Sequence, residues 1–161
     1  MIGSVATGIK DPVKLTPILT ADNGKVLCSS TYSTNYVGWG VFDGKTNNHS
    51  GNAWVSASKK TTGEYIGYIF DKLVTVRKFK ITNRYTGTNS CAAIKNFKLQ
   101  GSNDKVNWYD IQSFTIPSNT FGATNEFYVN TPQAFEMFRL YVTESYESSF
   151  VIVAELEFYG N

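Results

Sequence analysis

Cysteine is nearly absent from this chain, with Cys28 and Cys91 the only two among 161 residues. Two thiols so far apart cannot form a disulfide framework, and no CxxC pair is present to hold zinc. Free thiols are the simpler reading, and sequence alone does not say whether they meet. Histidine is scarcer still, with His49 alone. A zinc site recruits several His or Cys ligands. A Ser-His-Asp triad would have to be built on a residue that has no GxSxG elbow and sits in a polar loop. Charge is also thin: 17% of residues, for a net charge of +2. Proteins that grip nucleic acid concentrate basic side chains on one face. The longest basic cluster here, Arg77-Lys78-Phe79-Lys80, alternates as a solvated strand face would, so no nucleic-acid partner is expected. No glycine-rich phosphate loop is written. Met1 to Leu15 holds no apolar run that could serve as a signal peptide or membrane span. The chain therefore acts where it is made, leaves by lysis, or is an excised module. Catalysis has no visible apparatus.

What the sequence does have is aromatic side chains, 11 Phe, 10 Tyr and 3 Trp, set among Ser, Thr, Asn and Gly. That balance favours strands joined by polar turns. In Val151 to Phe158, positions 152, 154, 156 and 158 are apolar while Glu155 and Glu157 intervene, which is the period of a strand with one face buried. Met137 to Val142 repeats it with Phe138, Leu140 and Val142 inward. Tyr65 to Phe70, Val74 to Ile81, Phe97 to Gln100, Trp108 to Phe114 and Glu126 to Val129 bring the expected total to about eight strands. No amphipathic helix separates them, so a parallel sheet is excluded and an antiparallel β-sandwich, or jelly roll, is the expected all-β fold. Residues 1–23, punctuated by Gly3, Gly8, Pro12 and Pro17, read as an arm or linker. Residues 24–161 read as one domain.

Taken in order, the segments resemble the discoidin family. Cys28 to Ser33 is similar to its "ASSxYS" stretch, Val41-Phe42-Asp43-Gly44 to "AFDG", and Trp54-Val55-Ser56 to "WxS". Tyr68 to Asp71 is similar to "IxxDFG", with Lys72 in place of the glycine. Val76 to Arg84 resembles "VxKxxIxxR", and Lys98 to Trp108 resembles "KLQGSNDGxNW" with Lys105 for its glycine. Phe138-Arg139-Leu140 and Glu155 to Gly160 resemble "YRL" and "ELxxYG". The family includes coagulation-factor type C domains, the N-terminal domain of galactose oxidase and carbohydrate-binding module family 32. Pro17 to Thr20 with Asn23-Gly24 also looks like discoidin modules of phage tails and baseplates.

The resemblance implies a galactose-binding-like jelly roll that holds a glycan and does no chemistry. It also implies a structural calcium ion held by Asp43 and Glu155 with the carbonyls of Gly40, Lys45 and Ala154, and by Ser50 or Asn52. A hard cation wants six to eight such oxygens. Sugar recognition needs an aromatic plane and convergent polar groups, and arginine's planar fork can serve two hydroxyls. Arg84 and Asn89 fill the positions of the polar groups in glycan-binding relatives. The loop aromatics are Tyr32, Tyr36, Trp39, Tyr146 and Phe150. Of these, Tyr36 and Trp39 are taken as contacts, and Tyr146 or Phe150 as the stacking ring. His49 could reach a sugar hydroxyl or be a plain surface residue. Trp54 and Trp108 match framework positions.

The expected partner is a cell-surface or polysaccharide glycan, met outside the cell or on a virion. Residues 1–23 would mediate oligomerisation or attachment to a larger protein. The alternative is a structural or protein-binding role in an assembly such as a phage tail. Phospholipid binding needs apolar spikes beside basic residues. Trp39 could be such a spike, but Thr31 to Gly40 contains no Lys or Arg, which argues against a membrane partner.

Overall fold

The computed structural model describes residues 11–46, 53–85 and 90–161. Ten strands are present among them: β1 (Val13–Lys14), β2 (Val26–Cys28), β3 (Trp54–Val55), β4 (Tyr65–Thr82), β5 (Ile94–Ser102), β6 (Tyr109–Thr115), β7 (Thr124–Tyr128), β8 (Ala134–Ser145), β9 (Ile152–Val153) and β10 (Glu155–Gly160). One turn of 3-10 helix, Gly38–Phe42, interrupts them. All pairings are antiparallel. The all-β antiparallel expectation holds, and the strands not read from the sequence, β1, β2 and β3, are two or three residues long, too short to show a period.

The central element is β4. Tyr65 to Phe70 and Val74 to Ile81 read as two strands in the sequence, yet they form one 18-residue strand with a register shift between Ile69 and Val74. Asp71, with φ of 59°, supplies the kink. Ahead of it β4 pairs β2 and β8, and β8 continues to β5 and β6. Beyond it β4 pairs β10 and β7, and β10 continues to β1. One strand thus contributes to both layers of the sandwich. Aromatic rings fill the space between: Phe79 meets Phe97 and Phe114 edge-on at 6.0 and 4.9 Å, and Phe138 lies 6.3 Å from Phe158. Phe79, Phe97, Phe138 and Phe158 are fully buried, and such ring pairs add to their area burial. The inward set expected from Met137 to Val142, namely Phe138, Leu140 and Val142, is buried without exception.

Two further sequence expectations change. Val151 to Phe158 is not one strand, because Ile152–Val153 pairs with β3 and the chain then crosses to β4 at Glu155. A bend at Ala154, whose N–H donates to Thr82 O, separates the two pieces, and residues 151–156 are all buried, so the side expected to face solvent is covered there, Glu155 included. The expected N-terminal arm is also shorter than residues 1–23. From Val13 onward the chain joins the sheet, Leu15 N–H donates to Phe158 O, and Leu19 is buried with its N–H on Phe42 O. Pro12 and Pro17 flank this short edge strand, where a missing N–H costs no ladder bond. In Arg77 to Lys80 the three basic residues are half-buried and Phe79 lies in the core, with Lys78 paired to Glu126 and lying over the Tyr159 ring. Cys28 and Cys91 are unbonded, and burial pushes both thiols up to about 11. Among the described residues, no helix is long and apolar enough to cross a membrane.

Candidate functional site

The loops after β2, after β4 and after β8 meet at one end of the sandwich and enclose an open cleft of about 150 Å³. Arg84 enters it from the end of β4. Asn83 fixes that approach, since its N–H donates to Ala123 O and its Nδ2 to Thr120 O, while Arg84 O accepts from Gly122 N. Arg84 is only 9% exposed, and its Nη1 donates to Ser90 O at 3.3 Å. The guanidinium therefore lies in the wall of the cleft with its approach fixed by backbone bonds, which limits the entropy lost when it takes a ligand.

Aromatic rings form the other side. Phe150 meets Tyr32 edge-on at 5.1 Å, and Tyr36 lies 6.0 Å from Tyr32. Tyr36 and Phe150 rest on a small apolar cluster of Ala53, Val55, Ala92 and Ile152, separate from the main core. Backbone bonds hold the three loops together at this point: Tyr32 N to Val55 O, Val55 N to Tyr36 O and Ile152 N to Ala92 O. Ala92 sits in the left-handed region at φ 47°. The Glu147 carboxylate accepts its N–H, and Asn119 Oδ1 accepts that of Ala93. Backbone of this kind, held by its surroundings, commonly lies beside binding sites.

Of the residues expected to touch a ligand, the structure brings Arg84, Tyr36 and Phe150 together. Tyr146 does not join them, and Phe150 is the one of those two rings that lines the cleft. The Tyr146 hydroxyl donates to Ile116 O, its ring packs on the main core, and Lys95 lies over it. Trp39 packs partly on the main core and lines a separate groove. Asn89 and His49 lie outside the described residues. Tyr32, Ser90, Val55 and Ile152 line the cleft but were not chosen from the sequence. Tyr32 sits in the stretch similar to "ASSxYS", so it carried a signal; Val55 and Ile152 read only as strand residues. Trp54 is a framework residue, fully buried with Nε1 on Ser30 O. Trp108 lies beneath the Arg139 guanidinium at 3.9 Å, with Nε1 on Lys105 O.

Close by, Glu155 opposes Thr82, the last residue of β4, so the acidic pair lies at the same end of the sandwich as Arg84. Asp43 and Glu155 are 7% and 2% exposed. Gly44 holds a φ of 74°, open to glycine at little cost, and its N–H donates to Glu155 Oε1 at 2.9 Å. Lys45 N donates to Asp43 Oδ1. Among the described residues, Asp43 Oδ2 and Glu155 Oε2 are buried with no hydrogen-bond partner. Burial pushes the Glu155 carboxyl up to about 9, its bond from Gly44 lowers it, and the Asp43 charge raises it again. Burial also raises Asp43. Two buried carboxylate oxygens facing one another require a cation or a shared proton. The donor set thus fits a hard divalent ion, with the backbone of Gly40, Lys45 and Ala154 on the adjoining segments. Ser50 and Asn52 lie outside the described residues. Nowhere among the described residues do three His, Cys, Asp or Glu side chains gather as a metal cluster would, so the pair would rely on backbone carbonyls for its remaining oxygens.

The F5/8 type C domain model matches residues 25–156. A search of curated proteins found no match. Solved structures do match. A selenomethionine-labelled mutant of chitosan-binding module 1, from a Paenibacillus sp. IK-5 chitosanase/glucanase, superposes with a TM-score of 0.68 at 19% identity, covering 93% of this chain and 100% of that one. The family 32 carbohydrate-binding module of NanJ from C. perfringens, in complex with galactose, gives 0.68 at 16% identity, covering 83% and 91%. Chitosan-binding module 2 of the Paenibacillus enzyme, in complex with chitotriose, gives 0.65 at 19%, covering 84% and 95%.

Proposed function

Because the chain belongs to the F5/8 type C (discoidin) domain family, we propose that it is a non-catalytic carbohydrate-binding module whose Arg84 cleft takes the end of a glycan. The observation that carries this reading is the meeting of one fixed guanidinium with the rings of Tyr32, Tyr36 and Phe150 in a single open cleft. The rings offer an apolar surface for a pyranose face, and the arginine fork answers its hydroxyls. Structural relatives in complex with galactose and with chitotriose support the ligand class.

The acidic pair has a supporting role in this reading. Asp43 and Glu155, with carbonyls of Gly40, Lys45 and Ala154, would hold a calcium ion that ties the loop after the 3-10 turn to the start of β10. The ion would supply positive charge where two buried carboxylates otherwise repel. Engaged in this way, neither carboxylate is left for acid–base work. The module would attach a larger protein to a glycan-bearing surface outside the cell, with residues ahead of Val13 as the connecting segment.

A glycan array, run with calcium and with chelator, tests the ligand class and the metal together. Binding to a neutral sugar series is expected, reduced in chelator. Arg84→Ala should lower affinity by about tenfold or more, the loss of about 1.4 kcal/mol. Arg84→Lys should restore little, since a point charge lacks the fork. Unchanged binding in Arg84→Ala would remove the cleft from the site.

A further inference from the structure

We infer that the glycan site continues beyond Tyr32 into a groove on the far side of the loop of residues 30–39, so that the module grips an oligosaccharide chain and not a terminal sugar alone. This rests on the glycan-binding reading above and names the ligand's length.

The loop separates two depressions. Tyr32 and Tyr36 line the Arg84 cleft, while their neighbours Thr31 and Val37 line a second, open groove with Asp22, Cys28, Ser30 and Trp39. Thr31 and Tyr32 are neighbours in the chain, as are Tyr36 and Val37, so this one loop borders both spaces. A ligand that extends over Tyr32, a residue 54% exposed, would pass from the cleft toward the groove.

Size separates their roles. The cleft holds about 150 Å³ and the groove about 500 Å³. Sites for drug-sized ligands span roughly 300–1,000 Å³. The cleft alone falls below that range, and the groove lies within it.

The lining of the groove suits sugar. Trp39 is partly buried and gives an indole surface, Thr31 adds an exposed hydroxyl, and the exposed Asp22 adds a carboxylate whose Oδ1 accepts from Gly24 N. Among the described residues, no Lys or Arg lines it. Units beyond the terminal one are thus neutral, their hydroxyls donating to Asp22, and a uronate or sialate there would be repelled. The floor depends on Gly38, where a Cβ would fall 2.8 Å from Cys28 Cβ. That close approach seats the Val37–Trp39 limb against β2 and leaves the space open above it.

The test is a glycan array carrying matched mono-, di- and tetrasaccharides of neutral series, followed by titration calorimetry on the series that binds. The tetrasaccharide should bind on the order of tenfold tighter than its monosaccharide, which is about 1.4 kcal/mol. In Trp39→Ala that ratio should fall to within about threefold, or about 0.65 kcal/mol. Trp39 also packs on the core, so Thr31→Arg, which fills the groove from an exposed position, is the decisive variant and should collapse the ratio likewise. Arg84→Ala should weaken every length together. Equal affinity for monosaccharide and tetrasaccharide, or a ratio that survives Thr31→Arg, overturns the groove and leaves the cleft standing. An array with no bound glycan overturns both readings.

Discussion

Two carboxylates decide how this protein answers to pH. Glu155 keeps its proton up to about pH 9 in the fold, against an ordinary value of 4.5, chiefly because it is buried. Asp43 shifts the same way for the same reason. Between those limits the folded state holds more protons than the unfolded chain, so stability falls as pH rises. The contribution is complete below about pH 4.5 and is lost on the way to pH 9. A bound cation takes the place of the proton and grows in affinity as protons leave. In chelator, the melting temperature should therefore decline from pH 5 to pH 9, and calcium should raise it more at pH 8 than at pH 5. Glu155→Gln should flatten the chelated profile and abolish the calcium response. A melting temperature indifferent to calcium at pH 8 would remove the metal from the proposal. Asp43 and Glu155 were legible only because their segments are similar to a family's; spacing alone gives no hint that two residues so far apart in the chain come together. Arg84 was legible in the same way. Tyr146 and Phe150 looked equivalent, because a loop aromatic's direction depends on which backbone carbonyl is in reach, here that of Ile116.

Among the elements, long strands with one buried face were readable from alternation, as β8 and β10 are. β1, β2, β3 and β9 were not, because two or three residues cannot display a period and form only where the rest of the sandwich offers an edge. The fusion of two expected strands into β4 was hidden for a different reason. Asp71-Lys72-Leu73 reads as a turn, and all three are exposed, but the chain resumes pairing with β8 at Val74. The close contact of β4 with β8 depends on Gly67. A Cβ there would lie 2.1 Å from Phe138 O and 2.6 Å from Arg139 Cα, both backbone atoms that cannot swing aside. Gly67 opposes Arg139, which lies across the strands with its guanidinium 4.4 Å from the Tyr65 ring and 3.9 Å from the Trp108 ring. Gly67→Ala should cost about 1–3 kcal/mol, the range for overpacked interiors. At about 2–4 °C per kcal/mol for a domain of this size, thermal denaturation would show it as a clear drop. A melting temperature within a degree of wild type would mean that the β4–β8 contact yields more readily than its geometry implies.

At the scale of the whole molecule, a small open cleft on a rigid sandwich sets the expected strength of binding. Sugar hydroxyls exchange water for protein partners at little net gain, and a cleft of about 150 Å³ removes little apolar surface from water. A single module should bind a monosaccharide with a Kd of about 10⁻³–10⁻⁴ M, equivalent to about 4–5.5 kcal/mol. Because Arg84 is the one cation among the described cleft residues, that affinity should change little between low and high salt. A site that worked by attraction to a polyanion would lose affinity steeply. Useful attachment then depends on display in several copies, where linked sites gain on the order of 10²–10⁴ in avidity without any new contact. The comparison is between the single chain and the same chain fused to a tetramerising helix, measured by surface plasmon resonance on a glycan-coated chip at two ligand densities. The tetramer should dissociate far more slowly at high density and approach the single chain at low density. Nanomolar monovalent binding, or a tetramer that gains nothing on the dense surface, would point to a deeper and more enclosed site than loops of this size can make.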